Sequence, residues 1–479
     1  MKQKPEHAAN AGSFRDPAGF VFAHKGTIYR QVNKAGKPDY EYFIKSGLYA
    51  KLAGEGLMVA HEEVILHDLP ADPERYKIIK PTKIPFITYP YEWCFSQLKS
   101  AALLTMHIQK TAIGHGMILK DASAYNVQFF GNRALFIDSL SFRVYKPGAP
   151  WDGYRQYCEH FITPLAMAAY GYIGAIKALR ANLDGIPLAE AARTLPARAR
   201  LRRGLAVHLY LHATSRRRYD SRAEDGTKER KVSKLAMSGL ISSLEKTVKR
   251  LDPPKQTTQW GEYYSDTNYS ESAFKAKRET VAKQLMSIKP MPRIVWDLGA
   301  NDGTFSEITA AMGIYTLAFD IDPGAVELNF AKERSPVMAG LLLPVLQDLA
   351  NPSPALGWAH GERLSLEQRG PADVLVVLAL IHHLAIGNNL PLERIAEYFS
   401  GLGKFMIIEF VPRSDSKAKI LLRHRANMFH DYTASNFERV FSRYFTIVEK
   451  EAVTDSQRVI YLLKSKTNFK RGQKTQSPA

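Results

Sequence analysis

The stretch 294–322, IVWDLGANDGTFSEITAAMGIYTLAFDID, sets polar residues at a spacing that a ligand can use. An apolar run ends in Asp297. Gly299 and Gly303 follow, with Asn301 and Asp302 between them. A helical pattern comes next, then a second short apolar run that ends at Asp320. The order reads as strand, glycine loop, helix, and a strand tipped by a carboxylate. Glycines let the backbone come close to a ligand, and a carboxylate at the next strand end can accept both hydroxyls of a ribose. The ligand this arrangement suits carries a nucleoside.

The spacing is D-x-G-x-x-x-G rather than G-x-G-x-x-G. A pyrophosphate prefers bare N–H groups at a helix N-terminus, and Asp302 would repel it there. A cation would be welcomed instead. S-adenosyl-L-methionine (SAM) carries a sulfonium and an ammonium, which acidic groups at Asp297 and Asp302 suit. The plainer alternative is an ordinary βαβ unit whose glycines serve only a turn. The segment resembles motif I of class I SAM-dependent methyltransferases. That resemblance implies an α/β, Rossmann-like sheet of seven strands and SAM as cofactor. It places Asp297, Gly299, Asn301, Asp302, Gly303 and Asp320 at the cofactor.

The flanking elements fit such a sheet. Strand and helix patterns alternate over 260–466. Val345 and Leu346 lead to Gln347 and Asp348, a third strand and its loop. The resemblance makes Asp348 a partner of the adenine amino group; a turn-capping Asp is the alternative. Residues 373–380, DVLVVLAL, suit a strand buried on both faces, with Leu380 against the cofactor at its end. His382 and His383 follow, where open α/β sheets bind ligands. An imidazole can take a proton from a hydroxyl, so either is a candidate base. Packing against adenosine and bonding to backbone are the competing roles. Glu409 ends a fifth strand, 404–410. Two closing strands over 445–450 and 458–463 match the terminal hairpin of the resembled family. Upstream, Tyr263, Tyr264 and Tyr269 could cover the cofactor or shape an acceptor pocket. The fourth strand is not followed by an N-P-P-[YFW] sequence, which argues against methylation of adenine-type amino groups.

The first half carries a second constellation. In 115–142, HGMILKDASAYNVQFFGNRALFIDSLSF, Asp121 and Asn126 have D-x-x-x-x-N spacing, and Asp138 closes an apolar strand twelve residues on. This resembles the catalytic and metal-binding loops of protein kinases and aminoglycoside-phosphotransferase-like kinases. The resemblance implies an α+β fold, with Asp121 orienting an acceptor hydroxyl. It makes Asn126 and Asp138 ligands of Mg²⁺ beside ATP if that half is active. Residues 19–32 read as an N-lobe hairpin, 39–53 as a helix beside it, 85–93 as a strand entering a hinge, and 95–111 and 151–161 as helices. The departures from the family are plain. No glycine-rich loop precedes the hairpin, Arg30 stands where a strand Lys belongs, Lys120 precedes Asp121, and Ser139 follows Asp138. A degenerate, nucleotide- or partner-binding unit is the alternative to an active one.

These residues divide the 479-residue chain into a kinase-like unit at 14–195, a basic helical connector at 196–255, a methyltransferase unit at 256–466 and a disordered basic tail at 467–479. Net charge is +18. Residues 196–251 hold 15 Lys and Arg against 5 Asp and Glu, clustered at 198–203 and at Arg216, Arg217 and Arg218. A solvated connector, an anionic membrane surface or glycolipid, and nucleic acid are the three readings of that cluster. Two cysteines, Cys94 and Cys158, form no metal pattern or disulfide framework, which suits a reducing cytoplasm, with peripheral attachment at the inner membrane face as a variant. The N-terminus lacks the apolar core of a signal peptide. Residues 161–178 are the most apolar stretch and read as a buried helix.

Over most of its length the chain is similar to a nodulation-linked bacterial family, a kinase-like unit preceding a methyltransferase. The resemblance implies O-methylation of a small-molecule or glycan hydroxyl. An RNA-binding methyltransferase clamped by the basic segment is one alternative. A bifunctional or regulatory protein with a nucleotide-binding first half is another.

Overall fold

The computed structural model describes residues 9–214, 231–253, 271–423, 425 and 428–469. Two compact units divide the chain, residues 1–255 with 357–362, and residues 256–356 with 363–477.

In the first unit, β1 (Gly19–His24) and β2 (Thr27–Asn33) form the expected hairpin, with Gly19 opposite Val32. β3 (His61–Val64) and β4 (Arg75–Pro81) extend it to an antiparallel sheet of order β1-β2-β4-β3. The helix expected over 39–53 is two, Lys37–Lys45 and Leu48–Gly54, because Gly47 turns the chain at φ +77°. No strand forms at 85–93. Prolines at 85 and 90 deny it ladder donors, and Thr88 is instead held through its backbone by the Gln128 side chain. The helix Phe95–Gly114 leads to β5 (Met117–Leu119) and the loop carrying Asp121. Two short ladders follow, β6 (Val127–Phe130) with β7 (Arg133–Phe136), and β5 with β8 (Phe142–Val144). A helix from Gly153 runs through a π turn at Cys158–Ile162 and stops at Ala169. The continuous buried helix expected over 161–178 therefore ends early, and Gly171 follows at φ +100°.

The segment 196–255 is not a free connector where it is described. Met237, Ile241, Leu244 and Val248 recur at helical spacing on the helix Lys234–Lys249. They are buried, and the helix packs on Phe95–Gly114. Lys99 Nζ caps its carboxyl end, donating to the carbonyls of Leu251 at 2.6 Å and Lys249 at 3.1 Å. The charge count hid this apolar stripe. Arg216, Arg217 and Arg218 lie outside the described residues, as do Tyr263, Tyr264, Tyr269 and the tail from 470. Cys94 and Cys158 are buried and not joined in a disulfide. Among the described residues, no helix is long and apolar enough to cross a membrane.

The second unit is a seven-stranded sheet. Its strands are β9 (Ile294–Leu298), β10 (Tyr315–Asp320), β11 (Leu342–Leu346), β12 (Ala372–Val377), β13 (Gly403–Phe410), β14 (Phe445–Ala452) and β15 (Val459–Ser465). The order is β11-β10-β9-β12-β13-β15-β14. Neighbours among β9 to β13 are parallel, β15 is antiparallel to β13, and β14–β15 is an antiparallel hairpin. Chain order reverses between β9 and β12, which opens a crevice at the carboxyl ends of those strands. β10, β11 and β12 are almost wholly buried because helices cover both faces, so they read as continuous apolar runs. A core cluster that includes Val295, Val374, Val376 and Ile407 also takes Val281 and Leu285 from the helix Glu271–Ser287 and Ile288 just past its end.

Candidate cofactor site at the switch point

The glycine loop sits at the crevice. Gly299 has φ +79°, and a Cβ there would lie 3.2 Å from Leu380 Cδ1, so both its conformation and its neighbour call for glycine. Its six successive backbone N–H groups are all taken within the chain. Gly299 and Ala300 donate to the Phe319 carbonyl, each at 2.9 Å. Asn301 donates to Asp320 Oδ2 at 2.8 Å, Asp302 to Asn301 Oδ1 at 2.7 Å, Gly303 to the Ala300 carbonyl at 2.9 Å, and Thr304 to Asp302 Oδ1 at 3.2 Å. A phosphate cradle needs such donors unclaimed.

The loop borders a cavity of about 270 Å³. Of the candidate site residues, Asp297, Gly299, Asn301, Asp320, Asp348, Leu380 and His383 line it. Gln347, Phe274 and Lys277 line it too and were not anticipated. Lys277 is one of several cations in the helix Glu271–Ser287, yet it is buried, with Nζ 2.7 Å from Glu409 Oε2.

Three expected residues lie elsewhere. Asp302 is outside the cavity lining, with Oδ2 2.7 Å from Lys332 Nζ, a cation thirty residues downstream that no local pattern connects to it. Gly303 is outside the cavity lining and makes room for Asn329, whose amide would lie 2.5 Å from an added Cβ. His382 is buried off the cavity with both ring nitrogens lacking hydrogen-bond partners. Asp348 fulfils the capping alternative while lining the cavity, accepting from the N–H groups of Ala350 and Asn351.

Burial dominates the electrostatics. It pushes the Asp297 carboxyl up to about 7 despite the Ser306 hydroxyl donating to it at 2.6 Å. It pushes Asp320 up to about 6, against backbone donors at Asp322 and Asn301. His383 is lowered to about 4 by burial and then by Arg458, so its imidazole is neutral at pH 7. His382 is lowered further. Lys277 is lowered by burial, opposed by Glu409. Two carboxyls held reluctantly in an enclosed space fit a cationic ligand, which would let both ionise.

In the first unit, Asp121, Asn126 and Asp138 do converge. Asn126 Nδ2 donates to Ser141 Oγ at 3.0 Å and to the Asp121 carbonyl at 3.4 Å, and the Asp138 charge raises Asp121 after burial does. Asp138 Oδ1 lies 2.6 Å from Arg30 Nη1, and that guanidinium helps hold its carboxyl low against burial. Among the described residues no three His, Cys, Asp or Glu side chains gather as a metal set. The carboxylate expected to bridge Mg²⁺ is already balanced by Arg30, so no phosphotransfer step follows from these side chains.

The second unit is a doubly wound α/β sheet of seven strands with an acid-lined crevice at its switch point. Nodulation protein NoeA of Rhizobium meliloti (strain 1021) is 33% identical to this chain over 465 residues, 95% of this chain and 96% of that protein, and the chain belongs to the NoeA family. No family model matches it. Among solved structures, magnesium protoporphyrin IX methyltransferase (ChlM) from Synechocystis PCC 6803 with bound SAM is 18% identical, covering 43% of this chain and 89% of that one at a TM-score of 0.30. The N-methyltransferase NodS from Bradyrhizobium japonicum WM9 is 12% identical, covering 41% and 98% at 0.30. The bifunctional kinase-methyltransferase WbdD is 15% identical, covering 44% of this chain and 43% of that one at 0.28.

Proposed function

We propose that the second unit transfers a methyl group from SAM to a hydroxyl oxygen of a small molecule or glycan. The loop whose N–H groups are all spent internally carries this reading, because it offers a ligand carboxylates and carbonyls in place of an anion hole. Bound SAM would supply an electrophilic methyl on a sulfonium. Asp320 would accept the ribose hydroxyls, and Gln347 and Asp348 would face the base. Asp297 would balance the cationic end, and Lys277 would meet the carboxylate of the amino-acid end. Leu380, Phe274 and Leu384 give apolar wall and exclude water. Neutral His383 would accept the proton of the acceptor hydroxyl at a ring nitrogen. The acceptor class rests on this hydroxyl chemistry and on a relative named for nodulation.

Calorimetry with SAM tests the site. Asp320→Ala should weaken binding severely, and wild-type affinity in both Asp320→Ala and Gly299→Val would end the assignment. Isotope-labelled SAM in cell extracts, read by mass spectrometry, identifies the acceptor.

For the first unit we infer a kinase-like scaffold, supported by the convergence of Asp121, Asn126 and Asp138. With Arg30 tied to Asp138, it serves nucleotide or partner binding rather than phosphotransfer. A thermal-shift series with ATP, with and without Mg²⁺, tests the nucleotide. No shift, or an equal one in Asp138→Ala, would remove it.

A further inference from the structure

The charge cluster that the sequence singles out is absorbed by neither reading. From residue 191 to 214 the chain holds five arginines and no Asp or Glu. Within the first unit, residues 201–205 and the outer face of the helix Lys234–Lys249 border an open groove. Arg202, Arg203, Lys246 and Arg250 line it, with the hydroxyl residues Ser242 and Ser243. The nearby carboxylates are engaged: Asp252 faces Lys99 at 3.4 Å, and Glu245 faces Lys249 at 2.5 Å. The cations therefore outnumber their local partners.

Charge is half of the pattern. Leu201 is 86% exposed and Leu235 84% exposed. Leu235, Gly239, Ser242 and Lys246 follow one another at helical spacing, so this leucine continues the groove face. Arg203, Val207 and Leu211 recur every fourth residue through the adjoining helical turns, and Val207 and Leu211 are exposed as well. Arg198 and Arg202 lie over the ring of Tyr170, and Arg200 lies over Tyr210. Cations at a helix carboxyl end are ordinary dipole partners. Bare leucines among them are not, because exposed apolar surface beside a basic patch gains only where it can leave water. A nucleic acid would use the arginines and leave the leucines wet.

We propose that this face docks on the surface of an anionic phospholipid bilayer, with the arginines at the headgroups and Leu201, Leu211 and Leu235 in the interfacial apolar layer. It lies in the first unit and is independent of the SAM reading.

The full chain would be sedimented with vesicles of phosphatidylcholine alone and with vesicles that also contain phosphatidylglycerol. Binding to the anionic vesicles only is expected, weakening with salt. Arg203→Ala with Lys246→Ala should reduce the partition about fivefold for each cation removed. Leu201→Ser with Leu235→Ser should reduce it further at high salt, where charge is screened. An unchanged melting temperature shows that the variants remain folded, as exposed positions allow. The proposal is overturned if wild type ignores anionic vesicles, if the leucine variant binds like wild type, or if RNA binds in preference and displaces the vesicles.

Discussion

Lys277 Nζ stands 2.7 Å from Glu409 Oε2, and both side chains are buried. The same oxygen accepts the Ala379 N–H at 2.7 Å, and Oε1 faces Arg458 Nη1 at 3.5 Å. One carboxylate thus ties the cavity-lining helix Glu271–Ser287 to the exit of β12 and the start of β15. Glu409→Gln keeps the shape and removes the charge, leaving Lys277 without its buried counterion. Breaking a buried pair in this way costs about 3–5 kcal/mol. The expected result is a large fall in the denaturant midpoint together with weakened SAM binding. A loss below about 1 kcal/mol would show that neither cation depends on Glu409.

Proton linkage gives stability and binding opposite pH dependences. Asp297 and Asp320 are raised to about 7 and about 6 from an ordinary 3.8. Between pH 4 and 7 the folded chain holds protons that the unfolded chain releases. Their stabilising contribution is therefore complete below about pH 4 and is lost as pH rises through 6 and 7. A cationic ligand needs both groups ionised. SAM affinity should be higher at pH 8 than at pH 5.5, while the ligand-free protein gains stability over the same descent. Asp297→Asn should flatten both trends. An affinity that holds or improves on acidification would contradict a carboxylate-lined cation site.

The adjacent histidines should separate cleanly. His383 lines the cavity, and its substitution by Ala should lower turnover by about 10²–10⁴ with little change in SAM affinity. His382 has two buried, unpartnered nitrogens, so an apolar replacement such as His382→Leu removes unsatisfied polar atoms. Stability in that variant should hold or rise. A fall beyond about 1.5 kcal/mol, or a loss of turnover matching that of His383→Ala, would return His382 to the chemistry.

Local periodicity made the second unit readable. Asp297, Gly299 and Asp320 lie within one strand-loop-helix-strand unit, so spacing alone placed them. Lys277 escaped because its partner Glu409 lies 132 residues away. Asp302 misled for the same reason, since its neutralising Lys332 comes from the next helix-to-loop passage. The two histidines adjoin in sequence, and residue type cannot say which one the backbone turn past Ala379, with φ +49°, aims into the cavity. In the first unit, the stripe Met237, Ile241, Leu244 and Val248 was present in the sequence but outweighed by the surrounding charge.

Asp302 and Asp320 make the sharpest contrast available in one loop. Both are acidic, and both accept backbone N–H groups of the loop or its helix. Asp320 is buried and lines the cavity. Asp302 is partly exposed and spends its charge on Lys332. Asp320→Ala removes charge-assisted bonds, each of about 1.5–3 kcal/mol, and should weaken SAM by one to two orders of magnitude or more. Asp302→Ala loses a half-solvated pair of about 0–1 kcal/mol and should leave the dissociation constant within about threefold. Calorimetry on the two variants side by side decides it. Equal losses would mean that the loop turns Asp302 inward around its ligand, and the cation site would then include both carboxylates.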